Sequence, residues 1–203
     1  MPAVSVIVPS FNQGAFIGHT LDSILGQDFA DLECLVMDGG STDETVGVLH
    51  RYSDPRLIWV SEPDRGQSHA INKGLARAQG QVLTYLNSDD LLAPGAVASA
   101  VTYFEAQPEA DLIEGDLNFI DAGGAVIGML PGRPFLLAEL LSGRHRFNQA
   151  GAFWRSSLTR RIGLMDEGLH YTMDHDYWAR AALAGAQIVY VPGVRASFRL
   201  HEG

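Results

Sequence analysis

The sequence predicts an α/β fold in which a parallel-sheet half, residues 1–110, is followed by a mixed α+β half, residues 111–203, within one domain. Three observations predict it. Short apolar runs rich in β-branched residues alternate with segments whose apolar residues recur at helical spacing. Four such strand-helix units fit into about 107 residues, which is the rhythm of a parallel sheet. Beyond Asp111 that rhythm stops, and strands and helices follow one another without regular alternation.

Taken in order, "VSVIVP" (4–9) is the first strand, and after "SFNQG" the residues Phe16, Ile17, Leu21, Ile24 and Leu25 mark a helix. "LECLVMD" precedes a helix announced by the capping box "STDE", Ser41 with Glu44. "LIWV" precedes "GQSHAINKGLARAQ", and "VLTYL" precedes "PGAVASAVTYFEA", with Pro94 at the helix start. The second half reads as strands "DLIEGDLNFID" and "GGAVIGM", a helix near "FLLAELL" and a loop through "RFNQAG". A helix "MDHDYWARAALAG" and two closing strands, "QIVYV" and "RASFRL", complete it. Trp154 and Trp178 are expected in the core.

With 46% hydrophobic residues the chain can bury a substantial core. No apolar run approaches the ~18 residues that span a bilayer. The N-terminus has neither a basic n-region nor a long apolar h-region, so the expected location is the cytoplasm. The single cysteine, Cys34, sits in an apolar run and reads as core filler. A formal charge of −10 argues against nucleic-acid partners. That charge is uneven: residues 1–132 carry 5 Lys/Arg against 18 Asp/Glu, and residues 133–203 carry 9 against 6. The basic stretches "GRHRF" and "RRIG" read either as solvated surface or as a face for an anionic acceptor or a membrane, with peripheral contact at the inner membrane face.

The stretch "YLNSDD" places Asp89 beside Asp90 just before a helical segment. Two carboxylates ~4 Å apart repel by ~4 kcal/mol at an effective dielectric near 20, whereas one Asp as a helix N-cap contributes ~1 kcal/mol. One acid is explained as a cap, and the pair becomes favourable if a cation lies beside it. Other strand ends are polar too: Ser10, Phe11 and Asn12 after the first strand, Asp38 after the second, and Glu62, Asp64 and Arg65 after the third. Each cluster alone is accounted for by turn chemistry. Parallel strands, however, bring all of these ends to one edge, where ligands of open α/β sheets bind. Neither G-x-G-x-x-G after the first strand nor G-x-x-x-x-G-K-[ST] is present, which disfavours dinucleotide cofactors and P-loop chemistry. A nucleoside diphosphate held through a divalent metal with hard oxygen ligands fits better.

"VSVIVPSFNQGAFIGHTLDSILGQ", "LVMDGGSTDET", "YLNSDD" and "MDHDYWARAALAG" together resemble glycosyltransferase family 2, inverting enzymes of the GT-A fold that use nucleotide-activated sugars. The resemblance runs from Val4 to His201 and implies a Rossmann-like nucleotide-binding half followed by an acceptor-side half. By that likeness Pro9, Phe11, Asn12, Asp38, Arg65 and Asp89 serve the nucleotide: Asp38 receives the base, Arg65 lies near the phosphates, and Asp89 reaches the ribose. Asp89, Asp90 and the late His201 hold a divalent metal, Mn or Mg. Asp174 is the catalytic base, and Gln149 and Asp176 belong to the acceptor side. Asn87 and Met173 depart from the family pattern, standing where many relatives carry acids.

The implied reaction moves a single sugar, from a UDP-sugar in the first instance, to a hydroxyl of a glycan or lipid-linked saccharide. Two other readings stay open at this stage: a nucleotide-sugar or saccharide-binding module without turnover, and a nucleotidyltransferase. The latter lacks its expected glycine-rich basic loop in "PSFNQG".

Overall fold

The computed structural model describes residues 2–144 and 147–201, so that His145 and Arg146 of the basic "GRHRF" stretch lie outside the described residues. Strands β1 (Val4–Ser10), β2 (Leu32–Asp38), β3 (Leu57–Ser61) and β4 (Val82–Tyr85) pair in parallel in the order β3-β2-β1-β4. The helices between them are α1 (Ile17–Leu25), α2 (Thr45–Leu49) and α3 (Gln67–Arg77).

The period-2 alternation of these strands builds a core on each face of the sheet. Val4, Val6, Val8, Cys34 and Val36 point to one side, against Ile17, Leu21 and Ile24 of α1. Ile7, Leu35 and Met37 point to the other, against Ala70, Ile71 and Leu75 of α3. Each fully buried aliphatic side chain of this kind contributes ~1.5–3 kcal/mol relative to exposure. The closeness of α3 to β1 requires Gly74, because a Cβ there would stand 2.4 Å from Cγ2 of Ile7.

After β4 come a two-residue strand β5 (Leu91–Leu92) and α4 (Ala96–Ala106). The remainder comprises β6 (Leu112–Ile120), β7 (Val126–Leu130), α5 (Leu137–Leu141), β8 (Phe153–Arg155), α6 (Ser156–Ile162), α7 (Met173–Leu183) and β9 (Ile188–Arg199). One mixed sheet runs on from β4 through β8, β6 and β9 to β5, with β7 hairpinned onto β6. Trp154 and Trp178 are fully buried, with ring centroids 5.4 Å apart.

Four local expectations are corrected. The "STDE" segment does not form a capping box: the Ser41 hydroxyl donates to Asp38, and the Thr45 N–H that opens α2 is taken by Asp43. Asp89 and Asp90 do not cap a helix, because β5 intervenes and α4 begins at Ala96, preceded by Gly95 in the left-handed region. The two expected closing strands are one strand, β9, which follows β6 in parallel and absorbs its Val191–Gly193 irregularity as register shifts. Finally, β8 and α6 were not anticipated: three strand residues are too few to show a period.

Candidate active site

The strand order reverses beside β1, since β2 and β3 lie on one side of it and β4 on the other. The carboxyl ends of β1 and β4 therefore diverge, and a crevice opens at that switch point. It has a volume of about 530 Å³. Pro9, Phe11 and Gln13 line it after β1, Gly39 after β2, and Asn87 and Asp89 after β4. The fourth wall is the start of α3 with Asp64, Gly66 and Gln67. Phe11 is 59% exposed, so an aromatic face stands at the mouth of the crevice without a ring partner among the described residues.

The loop after β2 is organised by Asp38, which is fully buried. Its carboxylate accepts hydrogen bonds from the N–H groups of Gly40 and Ser41 and from the hydroxyls of Ser41 and Ser61. Three of these bonds fall on Oδ2 and one on Oδ1. Asn12 completes the loop from the β1 side: its side-chain oxygen accepts the Thr42 N–H at 2.9 Å, its own N–H donates to Ser41, and its φ is +53°. Asn is one of the few residues that tolerates that region. Both residues therefore shape the crevice from behind, whereas Pro9, Phe11 and Asp89 face it. Arg65 does not line it, and its guanidinium pairs with Glu167.

The neighbouring aspartates part company. The Asp89 carboxylate faces the crevice, and its Oδ2 lies 3.0 Å from Nε2 of His201, whose ring packs against Phe16 with centroids 4.4 Å apart and planes tilted by 37°. Asp90 is fully buried: its Oδ1 accepts the Arg199 N–H and its Oδ2 the side-chain amide of Asn87. Burial, and secondarily the charge of Asp89, raises its pKa to about 8. Asp90 thus ties the segment after β4 to β9, whereas of the two acids Asp89 is the one that lines the crevice.

Asp89 and His201 present one oxygen and one nitrogen ligand, and no third His, Cys, Asp or Glu completes a metal-binding group among the described residues. A divalent cation such as Mn or Mg would take one oxygen and one nitrogen from this pair and its other ligands from elsewhere.

A second hollow, of about 480 Å³, lies on the α7 side. Its walls include Leu117, Phe119, Leu130 and Phe198 from β6, β7 and β9, and its polar groups are Asn148, Gln149, Asp174 and His175. Asp174 stands in the first turn of α7, where a carboxylate is favoured by the helix dipole. Its Oδ1 accepts the His175 N–H and lies 3.2 Å from His175 Nδ1, and its Oδ2 makes no hydrogen bond among the described residues. Gln149 donates to the Tyr85 carbonyl at the end of β4, two residues before the crevice residue Asn87, which links the two hollows through one strand end. Behind the same loop, buried Glu114 accepts the Asn148 N–H, and burial raises its pKa to about 7. Asp176 points elsewhere: it holds Arg180, which in turn donates to the carbonyls of Ile162 and Leu164. Asp64, Gln67 and His175 entered the site without having been singled out as ligands, and what identifies them is their placement at helix starts facing a hollow.

Comparison with known proteins agrees with this geometry. Residues 5–125 match the glycosyl transferase family 2 profile. An uncharacterized glycosyltransferase of Mycobacterium tuberculosis is 34% identical over 185 residues, covering 90% of this chain and 70% of that protein. A PGL/p-HBAD biosynthesis glycosyltransferase of Mycobacterium bovis is 33% identical over 211 residues, covering all of this chain and 78% of that one. Among solved structures, S. aureus TarS 1–349 in complex with UDP-GlcNAc superposes with a TM-score of 0.80 at 21% identity, over 100% of this chain and 60% of that one. The mannosyltransferase PcManGT from Pyrobaculum calidifontis, in complex with GDP-Man and Mn2+, gives 0.75 at 25%, over 97% and 56%. This chain thus spans somewhat over half of each of those two solved chains. Fold and crevice define a glycosyltransferase of the GT-A class. The chain belongs to glycosyl transferase family 2.

Proposed function

We propose that this glycosyltransferase moves a single sugar from a nucleotide-sugar, a UDP-sugar in the first instance, to a hydroxyl of a glycan or lipid-linked saccharide with inversion at the anomeric carbon. The observation that carries the reading is the Gln149–Tyr85 hydrogen bond at the end of β4, which ties the hollow lined by Asp174 to the strand that leads into the crevice lined by Asp89. In this reading the chain acts as one domain, residues 1–110 serving the donor and 111–203 the acceptor.

Asp89 and His201 would hold a divalent metal, Mn or Mg, which when bound stabilises the charge of the departing diphosphate. Pro9 and Phe11 cover the nucleotide, while Asn12 and Asp38 keep the loop beneath it in place. Arg65 reaches the phosphates only by leaving Glu167, so its contribution belongs to a donor-bound state.

Asp174 Oδ2 accepts the proton of the acceptor hydroxyl as that oxygen bonds to the anomeric carbon and the bond from that carbon to the diphosphate oxygen breaks. Gln149, anchored on Tyr85, orients the acceptor. Asp176 acts at one remove, by fixing through Arg180 the segment that leads into α7. The apolar walls of the second hollow suit the apolar part of a lipid-linked acceptor, and peripheral contact with the inner membrane face would follow from such an acceptor.

The test is release of nucleoside diphosphate from a panel of UDP-, GDP- and TDP-sugars with Mn present, followed by NMR of any glycoside formed. Release with a product of inverted anomeric configuration is expected. A product of retained configuration, or no release from any donor, would overturn the proposal.

A further inference from the structure

Asp174 does not stand alone in the second hollow. The next residue, His175, lines the same hollow, and its side chain is 44% exposed against 21% for Asp174. One oxygen of the Asp174 carboxylate, Oδ1, takes both contacts that His175 offers: the main-chain N–H at 2.8 Å and ring Nδ1 at 3.2 Å. Neither Oδ2 nor the far ring nitrogen, Nε2, makes a hydrogen bond among the described residues.

The main-chain contact follows from position, because N–H groups in the first turn of a helix have no intrahelical acceptor and His175 is the third residue of α7. The ring contact follows from charge. An ionised carboxylate only accepts hydrogen bonds, so a bare Nδ1 here would set lone pair against lone pair. Nδ1 therefore carries the hydrogen, and a neutral ring has its lone pair on Nε2. Two donors on one oxygen matter because the terminal torsion of an Asp is broad and holds the carboxylate plane only weakly. Other groups act on Asp174 without touching that oxygen. The buried Tyr85 hydroxyl on β4 is held well above its usual range, by burial first and by the charge of Asp174 second. Asp176 and Arg180, on α7 itself, pair with each other, and no further acid or base lines the hollow among the described residues.

We infer that His175 is a positioning residue for sugar transfer: its ring Nδ1–H and its main-chain N–H together hold Oδ1 of Asp174 and leave Oδ2 as the oxygen that meets the acceptor hydroxyl. A misplacement of about 1 Å at a reacting group costs on the order of 10²-fold in rate, which sets the scale of the effect. The inference rests on the reading of Asp174 as proton acceptor and adds to it the group that orients the carboxylate.

Two measurements test it. NMR of protein carrying isotope-labelled histidine reads the tautomer of His175 with neither donor nor acceptor present. The neutral ring is expected to carry its hydrogen on Nδ1, and to move it to Nε2 when Asp174→Ala removes the acceptor. A neutral wild-type ring with its hydrogen on Nε2 overturns the inference. The second measurement is UDP release from a panel of UDP-sugars, with Mn present and water as the acceptor, on variants shown by circular dichroism to be folded. His175→Leu keeps the main-chain N–H and loses the ring donor. It is expected to lower kcat by tenfold or more with the UDP dissociation constant unchanged within twofold. It should also move the acid limb of the pH profile upward, since a hydrogen bond to the charged form of a carboxylate lowers its pKa. His175→Asn, whose side-chain N–H stands near the place of Nδ1, is expected to restore most of the rate and the wild-type limb. A His175→Leu protein with wild-type kcat and pH profile, or a His175→Asn protein as slow as His175→Leu, overturns the role of His175 while leaving Asp174 in place. Normal kcat in Asp174→Asn, or no release by the wild type, overturns the reading beneath it.

Discussion

Asp89 and His201, 112 positions apart in sequence, meet at the rim of the crevice with Oδ2 and Nε2 separated by 3.0 Å. The Phe16 ring packs against the imidazole at a tilt of 37°, so the histidine ring is held in place before any ligand arrives. If the pair serves a cation, UDP binding by the wild-type chain should strengthen on adding Mn and weaken on chelation. Asp89→Ala and His201→Ala should each reduce the Mn-dependent gain by about tenfold or more, equivalent to about 1.4 kcal/mol. Equal UDP affinity with and without Mn would remove this pair from metal binding.

Replacing Asp90 tests the opposite assignment. Asp90→Ala leaves the buried Arg199 N–H without its acceptor and should destabilise the fold by about 1–3 kcal/mol in urea melts. The response of UDP binding to Mn should survive in the folded fraction. A variant of native stability that has lost the Mn response would return Asp90 to the metal site.

Asp174→Asn keeps the shape of the side chain and the contact with the His175 N–H but removes the base. Turnover should fall by about 10²–10⁴-fold, with the UDP dissociation constant unchanged within about twofold, since Asp174 lines the second hollow and not the crevice. Normal kcat in this variant would exclude Asp174 as the proton acceptor.

Glu114 gives a pH dependence of known sign. Its folded pKa, raised by burial to about 7, lies above that of the unfolded chain, so the folded state holds a proton that the unfolded state releases. The stabilisation is fully present below about pH 4.3 and is lost as pH rises through about 7, amounting to at most about 4 kcal/mol. Glu114→Gln, which cannot ionise, should flatten the decline in urea midpoint between pH 5 and 8. The same slope in both proteins would assign the decline to other groups.

How much of this was legible in the chain depends on the range of the interaction involved. The four parallel strands, their helices and the polar edge they share were readable, because alternation and helical spacing are local patterns and parallel packing brings like ends together. Cys34, Trp154 and Trp178 were placed in the core for the same reason: apolar surroundings in sequence carry over into burial. The closing strands were read as two because Pro192 and Gly193 look like a break, whereas pairing with β6 carries the backbone through it. The short β8 has too few residues to show any period.

The sequence by itself determined the fold class, the family and the edge of the sheet on which the site lies, since these rest on residue type and spacing. Only the tertiary structure decided how each acid is placed. Asp89 and Asp90 are identical in type and adjacent in the chain, but the Arg199 N–H on β9 turns one inward, and His201 stands beside the other at the rim. A carboxylate's role depends on whether its lone pairs are already taken, and the groups that take them come from strands and loops far along the chain.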